Sequence, residues 1–388
     1  MRASLKLFIP FIVLLMLIES CKDDSVETPS TISNSTSQIV FRWYQNDTET
    51  KAEFETGLRW CFSFLGAQLE KGSWNRGVQW ISNEKIQIDF KEFGFNENAL
   101  NQLEQLIVKY KISEEFEARG DIDAGRFVVS IFNNSNHYYK IVGMPITLEN
   151  YKSSYNFLQK RAAIIESGVA FGERIINMPS EDQNINTLSY LAEELTGSLL
   201  DSSHIVKENE VMDIMENGQL RFGIYNKNQE LIGGADSSLS IAGKPSKCLW
   251  CHETNLQKGI AALTVVPAYF SPKQFDSIIE LNRSVLDNYR ASLTPEIDFD
   301  NNAQHTELEK LYIRFLEPSA KRLAREWDML EEEVKLKLIA YKTHRHDEFP
   351  EFGELYYRHE IEKYTPYQVL PSTSSARETI DNEPNLLP

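Results

Sequence analysis

The sequence predicts an α+β protein in two parts: a mixed helix and strand region over residues 39–236, then a mainly helical region over residues 237–363. Up to about Asp236, segments with apolar residues at helical spacing alternate with short segments typical of strands. After that point apolar residues recur mostly at helical spacing, and the pair Ser271-Pro272 is typical of a helix start. Polar segments flank the two parts.

The first part carries one clear amphipathic helix and several predicted strands. The helix is indicated by apolar residues at positions i, i+3, i+4 and i+7, which are Leu103, Leu106, Ile107 and Tyr110. Strands are predicted over residues 86–90, 125–132 and 137–144, with Asn133-Asn134-Ser135-Asn136 as the turn between the last two. The alternation of Leu220, Phe222 and Ile224 predicts another strand.

The second part is predicted to contain four helices. One runs from Ser271 to about Leu293, and a second begins near Thr306 and is interrupted at Pro318. A third covers Leu323–Trp327 and a fourth covers about Leu330–Tyr341. Residues 364–388 are polar and contain several prolines, so a loose C-terminal tail is expected there.

The N-terminus has the features of an export signal. The basic residues Arg2 and Lys6 precede an apolar run over Leu7–Ile18, and a polar segment follows directly. A bilayer-spanning helix needs about 20 apolar residues, so this shorter run predicts a signal peptide over residues 1–20. Residues 21–38 are rich in Ser, Thr, Asp and Asn without an apolar period, which predicts a flexible tether.

The end of the signal resembles a bacterial lipoprotein processing site. Leu17-Ile18-Glu19-Ser20 precedes Cys21, and Glu19 departs from the small or aliphatic residue usual at that position. The resemblance implies that Cys21 is lipidated and anchors the chain to a membrane. Lys22-Asp23-Asp24 also resembles the export signal of Bacteroidetes surface lipoproteins. We therefore expect an outer-membrane lipoprotein that faces the periplasm or the cell surface.

The charge balance excludes nucleic acid as a partner. The full chain has a formal net charge of −17. Removal of residues 1–20 takes away a net +1, from Arg2, Lys6 and Glu19, and leaves −18. Binding to phosphates demands Lys and Arg contacts, which such a surface disfavours. A partner with a basic face is expected instead.

One motif carries chemistry, and it is Cys248-Leu249-Trp250-Cys251-His252. Cys-x-x-Cys-His is the attachment sequence of c-type haem, so these five residues resemble cytochromes c. The resemblance implies one covalent haem c, with Cys248 and Cys251 in thioether bonds and His252 as the proximal iron ligand. The alternatives are a redox dithiol, a zinc site and a structural disulfide. Cys61, in a mostly apolar segment, is expected to be a buried free thiol.

The far ligand of the iron is left open by the sequence. The methionine downstream of the motif is Met329, and the histidine candidates are His305, His344, His346 and His359. An open position, with no far ligand, is the further alternative.

Three functions follow from these alternatives. The first is electron transfer to a redox partner protein. The second is a peroxidase-like haem enzyme with an open iron position. The third is a surface-binding lipoprotein whose Cys248 and Cys251 form a disulfide and carry no haem.

Overall fold

The computed structural model describes residues 36–45, 49–180, 184–201, 203–257, 261–262, 266–381 and 383–387. The predicted signal peptide, the lipidation residue Cys21 and most of the tether over residues 21–38 lie outside these ranges. The described chain is α+β, as predicted, with its strands mostly in the first half and its helices predominating later. Among the described residues, no helix is long and apolar enough to cross a membrane.

The first sheet lies near the start of the described chain. Its strands are β1 (Gln38–Arg42), β2 (Val78–Trp80), β3 (Lys85–Asp89) and β4 (Ile122–Asp123). They are arranged in the order β2-β3-β1-β4, and β1 runs antiparallel to β3 and parallel to β4. Strand β3 confirms the strand predicted over residues 86–90, because Ile86 and Ile88 alternate into the core.

Helices pack around this sheet. They are α1 (Lys51–Phe64), α2 (Ser73–Gly77), α3 (Glu97–Lys111), α4 (Glu114–Arg119), α5 (Ala124–Phe132), α6 (Ser135–Val142) and α7 (Leu148–Lys152). Helix α3 is the predicted amphipathic helix, and its four apolar positions are all fully buried. Cys61 lies in α1 and is fully buried as a free thiol, as predicted.

The strands predicted over residues 125–132 and 137–144 are wrong, because these segments form helices α5 and α6. Every residue of α5 is buried, so its apolar run has no polar face that would reveal a helical period. The polar residues before each segment cap the helices: the Asp123 carboxylate accepts from the Gly125 N–H at 2.7 Å, and the Asn134 side chain accepts from the His137 N–H at 3.0 Å. The predicted hairpin turn is therefore a junction between two helices.

A second sheet is fully antiparallel. Its strands are β5 (Ala162–Ile164), β7 (Arg174–Asn177), β8 (Ser189–Thr196), β9 (Ile205–Ile214) and β10 (Leu220–Asn226), in the order β10-β9-β8-β7-β5. Two short strands, β6 (Glu166–Ser167) and β11 (Ala261–Ala262), pair with each other beside it. Strand β10 confirms the predicted alternation. Phe222 lies opposite Met212, so these two side chains share one face of the sheet.

The later helices follow this sheet. They are α8 (Pro245–His252), α9 (Pro272–Ser292), α10 (Thr306–Leu316), α11 (Ala320–Trp327), α12 (Glu331–Lys337) and α13 (Arg358–Ile361). The predicted cap of α9 is confirmed, because the Ser271 hydroxyl accepts from the Gln274 N–H at 3.3 Å. Helix α10 ends before Pro318, as expected, whereas α12 is shorter than the predicted Leu330–Tyr341.

One hydrophobic core runs through the described residues on both sides of the predicted boundary near residue 236, from Ile39 to Leu387. Helix α10, from the second part, packs closely on helices of the first. A Cβ added to Gly57 in α1 would lie 2.8 Å from the Glu307 carbonyl oxygen. The backbones of α1 and α10 therefore meet where only glycine fits.

The C-terminal tail also differs from its prediction as a loose segment. Residues 365–381 and 383–387 have little regular secondary structure, yet they are tied to the body. Leu387 is fully buried, and the Leu386 N–H donates to Nε2 of His137 in α6 at 2.8 Å. A polar segment with several prolines forms few regular backbone hydrogen bonds. Its side chains and single backbone groups can still pack against the rest of the protein.

Candidate functional site

The Cys-x-x-Cys-His motif forms the second half of helix α8. The helix begins after Lys244, and Pro245 occupies its first turn, where its missing N–H costs no hydrogen bond. It ends at His252, and the next two residues, Glu253 and Thr254, have left-handed backbones with φ of 48° and 64°. This conformation is unusual for a β-branched residue such as Thr254, so the turn after the motif must be held by its surroundings.

Arg290 of α9 holds that turn, and sequence reasoning did not select it. Its guanidinium donates to the Thr254 carbonyl at 2.7 Å and to the Gly218 carbonyl at 2.9 Å. Burial lowers the pKa of Arg290 to about 10, so the side chain remains charged at neutral pH. Arg290 thereby joins the turn that follows the motif to the turn between β9 and β10.

The two faces of α8 have different neighbours. Cys248 and His252 are four residues apart and lie on one face, which is directed at the second sheet. Ser246, Leu249 and Trp250 lie on the other face and line a small cavity. The far wall of that cavity includes His305 and belongs mainly to α1, α5 and α10.

His252 is placed as a neutral imidazole. Its Nδ1 lies 3.3 Å from the Asn255 carbonyl oxygen, and its ring centroid lies 5.1 Å from that of Phe222 in β10. Burial lowers the pKa of His252, so the neutral form predominates at pH 7. A carbonyl at Nδ1 favours the tautomer whose proton is on Nδ1, which leaves the lone pair of Nε2 for a metal ion.

Both thiols of the motif are free and protonated. Cys248 is partly buried against the core, whereas Cys251 is exposed. Burial raises the pKa of Cys248, and the negative charge of Glu210 adds to the effect. Burial likewise raises the pKa of Cys251, with the charge of Glu253 adding to it. Reactive redox dithiols instead have a lowered pKa, so this environment does not favour a redox dithiol.

The zinc alternative finds no support in the described ranges, where no three His, Cys, Asp or Glu side chains are placed to hold a metal ion together. An iron bound to a porphyrin has a different requirement. Because the porphyrin supplies the equatorial ligands, the protein needs to supply only axial ones, and a free Nε2 of His252 is such a ligand. The donor set of the motif therefore suits a covalently held haem.

A buried charge cluster lies on the same sheet face as the motif. Arg174 of β7 forms ion pairs with Glu194 of β8 and, at 2.5 Å, with Glu210 of β9. Glu208 of β9 faces the same group, and its Oε2 accepts from the Asp236 N–H at 2.8 Å. Burial raises the pKa of Glu194 to about 8, with the charge of Glu210 adding to it, and raises that of Glu208 to about 7. The cluster is consequently poised to take up a proton near neutral pH.

Replacing Glu194 with glutamine is expected to flatten the dependence of folding stability on pH. A carboxyl whose pKa is raised in the folded state stabilises the fold below its unfolded pKa, near 4.5, and that contribution is lost as the pH rises through 8. The wild-type free energy of unfolding should therefore fall between about pH 5 and pH 9, by up to about 1.4 kcal/mol per pH unit. Urea titrations at several pH values measure it.

The matched control is Glu193→Gln, which changes the neighbouring residue on the opposite face of β8. This variant should keep the wild-type slope of unfolding free energy against pH. Equal slopes for Glu194→Gln and the wild type would contradict this assignment. The slope of Glu194→Gln should not vanish altogether, because Glu208 titrates in the same range.

His305 contacts the face of α8 opposite to His252, so these two histidines are not placed to bind the same iron. It lines the cavity beside Trp250, and its Nδ1 lies 2.8 Å from the buried carboxylate of Glu309. Trp250 and His252 point to different sides of the helix, since they are two residues apart. His305 therefore belongs to the packing between α8 and α10.

The other predicted far ligands have their contacts in the C-terminal helices. His344 Nε2 lies 2.7 Å from the Glu317 carboxylate, and its ring stacks on Tyr357 with centroids 4.0 Å apart. His346 Nδ1 accepts from the backbone N–H of Phe349 at 3.3 Å. Met329 packs against the small core formed by α11, α12 and α13. These contacts give His344, His346 and Met329 local structural roles.

The site thus combines two thiols and one imidazole on a short helix, a strained turn fixed by Arg290, and a sheet face with a buried charge cluster. Comparison with protein-family models, with curated proteins and with solved structures gave no match.

Proposed function

We propose that this chain is an exported, lipid-anchored c-type haem protein that transfers single electrons. The observation that carries the proposal is the state of His252. Its imidazole is neutral, its Nδ1 faces the Asn255 carbonyl, and it lies one helical turn after Cys248 on the same face. A proximal histidine needs this arrangement, because the remaining nitrogen must be free to bind iron.

Cys248 and Cys251 would hold the group, and His252 would bind its iron. Each thiol would add across a vinyl group, its sulfur bonding to one vinyl carbon and its hydrogen passing to the other. Bound haem supplies one-electron oxidation and reduction of iron. The two thiols that would hold the haem differ in exposure: Cys248 is partly buried against the core, whereas Cys251 is exposed.

Export and anchoring belong to the same proposal. Covalent haem attachment takes place outside the cytoplasm, and the predicted signal over residues 1–20 provides that route. Lipidation of Cys21 would then tether the protein to the outer membrane, on its periplasmic or surface side. The mature charge of −18 favours a redox partner with a basic face, since opposite charges steer the encounter.

Expression of the full chain in a host with a haem c maturation system tests the proposal. After denaturing electrophoresis, peroxidase staining should mark the protein band, because a thioether-bound haem survives unfolding. The reduced protein should show the visible bands of a six-coordinate haem and should react slowly with carbon monoxide. Rapid and complete carbon monoxide binding would favour a peroxidase-like enzyme with an open iron position. An unstained band would favour a surface-binding lipoprotein without haem.

A further inference from the structure

We propose that His137 is a pH-sensitive latch for the C-terminal tail, and that protonation of its imidazole releases residues 383–387 from the body of the protein. The latch is the contact of the His137 ring with the backbone of Leu386. It is formed by helix α6 and the tail alone, so its operation does not depend on the proposed function.

The tail contacts the motif helix α8 before it reaches α6. The Arg377 guanidinium lies 4.0 Å from the centroid of the Trp250 ring in α8. Further along the tail, the Glu383 carboxylate lies 2.8 Å from the fully buried ammonium of Lys244, at the start of α8. A release of residues 383–387 would therefore remove an ion pair that fixes the start of the motif helix.

The hydrogen bonds of His137 fix its imidazole in one neutral form. Its Nδ1 faces the carbonyl oxygen of Ser130 in α5, which can only accept, so Nδ1 carries the proton. Its Nε2 lies 2.8 Å from the backbone N of Leu386, which can only donate, so Nε2 carries the lone pair. Both partners are backbone groups, and neither can reverse its role.

Protonation of Nε2 breaks the contact with the tail. The added hydrogen would point at the Leu386 N–H, and that donor would lose its acceptor. The side chain of His137 is almost completely buried, so the docked tail would also hold a charged ring away from water. Departure of the tail relieves both costs, because the imidazolium and the Leu386 N–H can then bind water.

The charges beside the contact do not favour an imidazolium. Lys140 follows His137 by one turn of α6, and its positive charge opposes that of a protonated ring. The Glu383 carboxylate of the tail is already paired with Lys244, and it accepts from the Ser135 N–H at 3.0 Å. The surroundings of the ring therefore stabilise the neutral form while the tail is docked.

Protonation of His137 and release of the tail are thus coupled. Burial lowers the pKa of His137, while hydrogen bonding to the Ser130 carbonyl and to the Asn385 side chain opposes this effect. The Asn385 oxygen, however, already accepts from the Leu387 N–H at 3.1 Å. In the released tail the pKa returns toward its ordinary value of 6.5. The docked state binds fewer protons, so docking weakens as the pH falls below about 6.5.

The test compares the wild type with His137→Gln in the full matured chain, by hydrogen–deuterium exchange of the Leu386 and Leu387 amides between about pH 5 and pH 8. Division by the intrinsic exchange rate at each pH gives the opening equilibrium of the tail. Glutamine stays neutral over this range, and its side-chain oxygen can accept from the Leu386 N–H. His204→Gln is the control for loss of an imidazole elsewhere, since His204 directly precedes β9.

In the wild type and in His204→Gln, the opening equilibrium should rise by up to about tenfold for each pH unit below 6.5. In His137→Gln it should stay nearly constant. Parallel pH dependence in the wild type and His137→Gln would overturn the latch, and so would a wild-type profile that does not change with pH.

A second measurement covers the case in which His137→Gln does not fold, which loss of protection in the core helix α3 would reveal. The imidazole of His137 is then titrated in the wild type by NMR, and its midpoint should lie below 6.5 and coincide with the opening of the tail. Separate midpoints would overturn the latch. Neither readout involves haem, so a chain that carries none would contradict the proposed function alone.

Discussion

Replacement of both Cys248 and Cys251 with alanine is expected to abolish haem that survives denaturation. Each thioether forms from one of these thiols, so the double variant has no covalent link even if some haem still binds through His252. The peroxidase stain on a denaturing gel should fall from a strong band to none. Each single variant should retain one thioether and a reduced yield of stained protein.

Cys61→Ala is the matched control for this loss. Cys61 is the other cysteine in the described residues, and it is fully buried in α1 as a free thiol. Its replacement leaves a small cavity and costs some stability, but it should leave the stained band unchanged. Loss of stain in Cys61→Ala, or full stain in the double variant, would contradict the assignment of the motif.

Replacement of Glu383 with alanine is expected to destabilise the fold by about 3–5 kcal/mol, the typical cost of leaving one buried charge without its partner. The Lys244 ammonium is fully buried and lies 2.8 Å from the Glu383 carboxylate. It also donates to the Asn133 carbonyl at 2.7 Å, so it joins the start of α8, the α5–α6 junction and the C-terminal tail. Urea titration of the full matured chain measures the effect.

The stability of Glu383→Ala should rise with pH. Burial lowers the pKa of Lys244, and the negative charge of Glu383 counteracts that effect. Without Glu383 the pKa should fall further, so the unfolded state binds more protons than the folded state over a wider range. The variant should therefore recover stability as the pH rises toward the ordinary lysine pKa.

Glu378→Ala is the control in the same tail. Glu378 also pairs with a lysine, Lys247, at 2.5 Å, but its side chain is 64% exposed. An exposed pair contributes little, so this variant should lie within about 0.5 kcal/mol of the wild type. Equal stabilities for Glu383→Ala and Glu378→Ala would mean that the tail is as loose as its composition suggests.

The second double variant, Lys244→Met with Glu383→Leu, separates the loss of a charge from the loss of packing. Apolar residues of similar size in place of a buried ion pair often restore stability. Recovery in this double variant would assign the cost in Glu383→Ala to the unpaired ammonium of Lys244.

Local signals in the sequence predicted much of the fold. The cap and first proline of α9 are Ser271 and Pro272, and the apolar spacing of α3 is regular, so both helices could be located from the residues alone. Helix α5 could not, because burial on all sides removes the periodic pattern that distinguishes a helix from a strand. The close contact of α1 with α10 at Gly57, across the predicted boundary near residue 236, likewise leaves no local signal in the sequence.

The residues of the candidate site also fall into those that the sequence could predict and those that it could not. Cys248, Cys251 and His252 were selected because the chemistry fixes their spacing along the chain. Phe222 and Arg290 reach the site through strand pairing and helix packing, so no spacing rule could select them. The downstream histidines were candidate iron ligands because of their residue type. In the structure, His344 and His346 make contacts among the C-terminal helices.

The mass of the intact, unfolded protein after maturation tests the central claim most directly. The mature polypeptide should carry the mass of one haem, added without loss of the thiol hydrogens, together with the mass of the lipid on Cys21. A protein that is matured in a competent host and has only the mass of its polypeptide and lipid would contradict it.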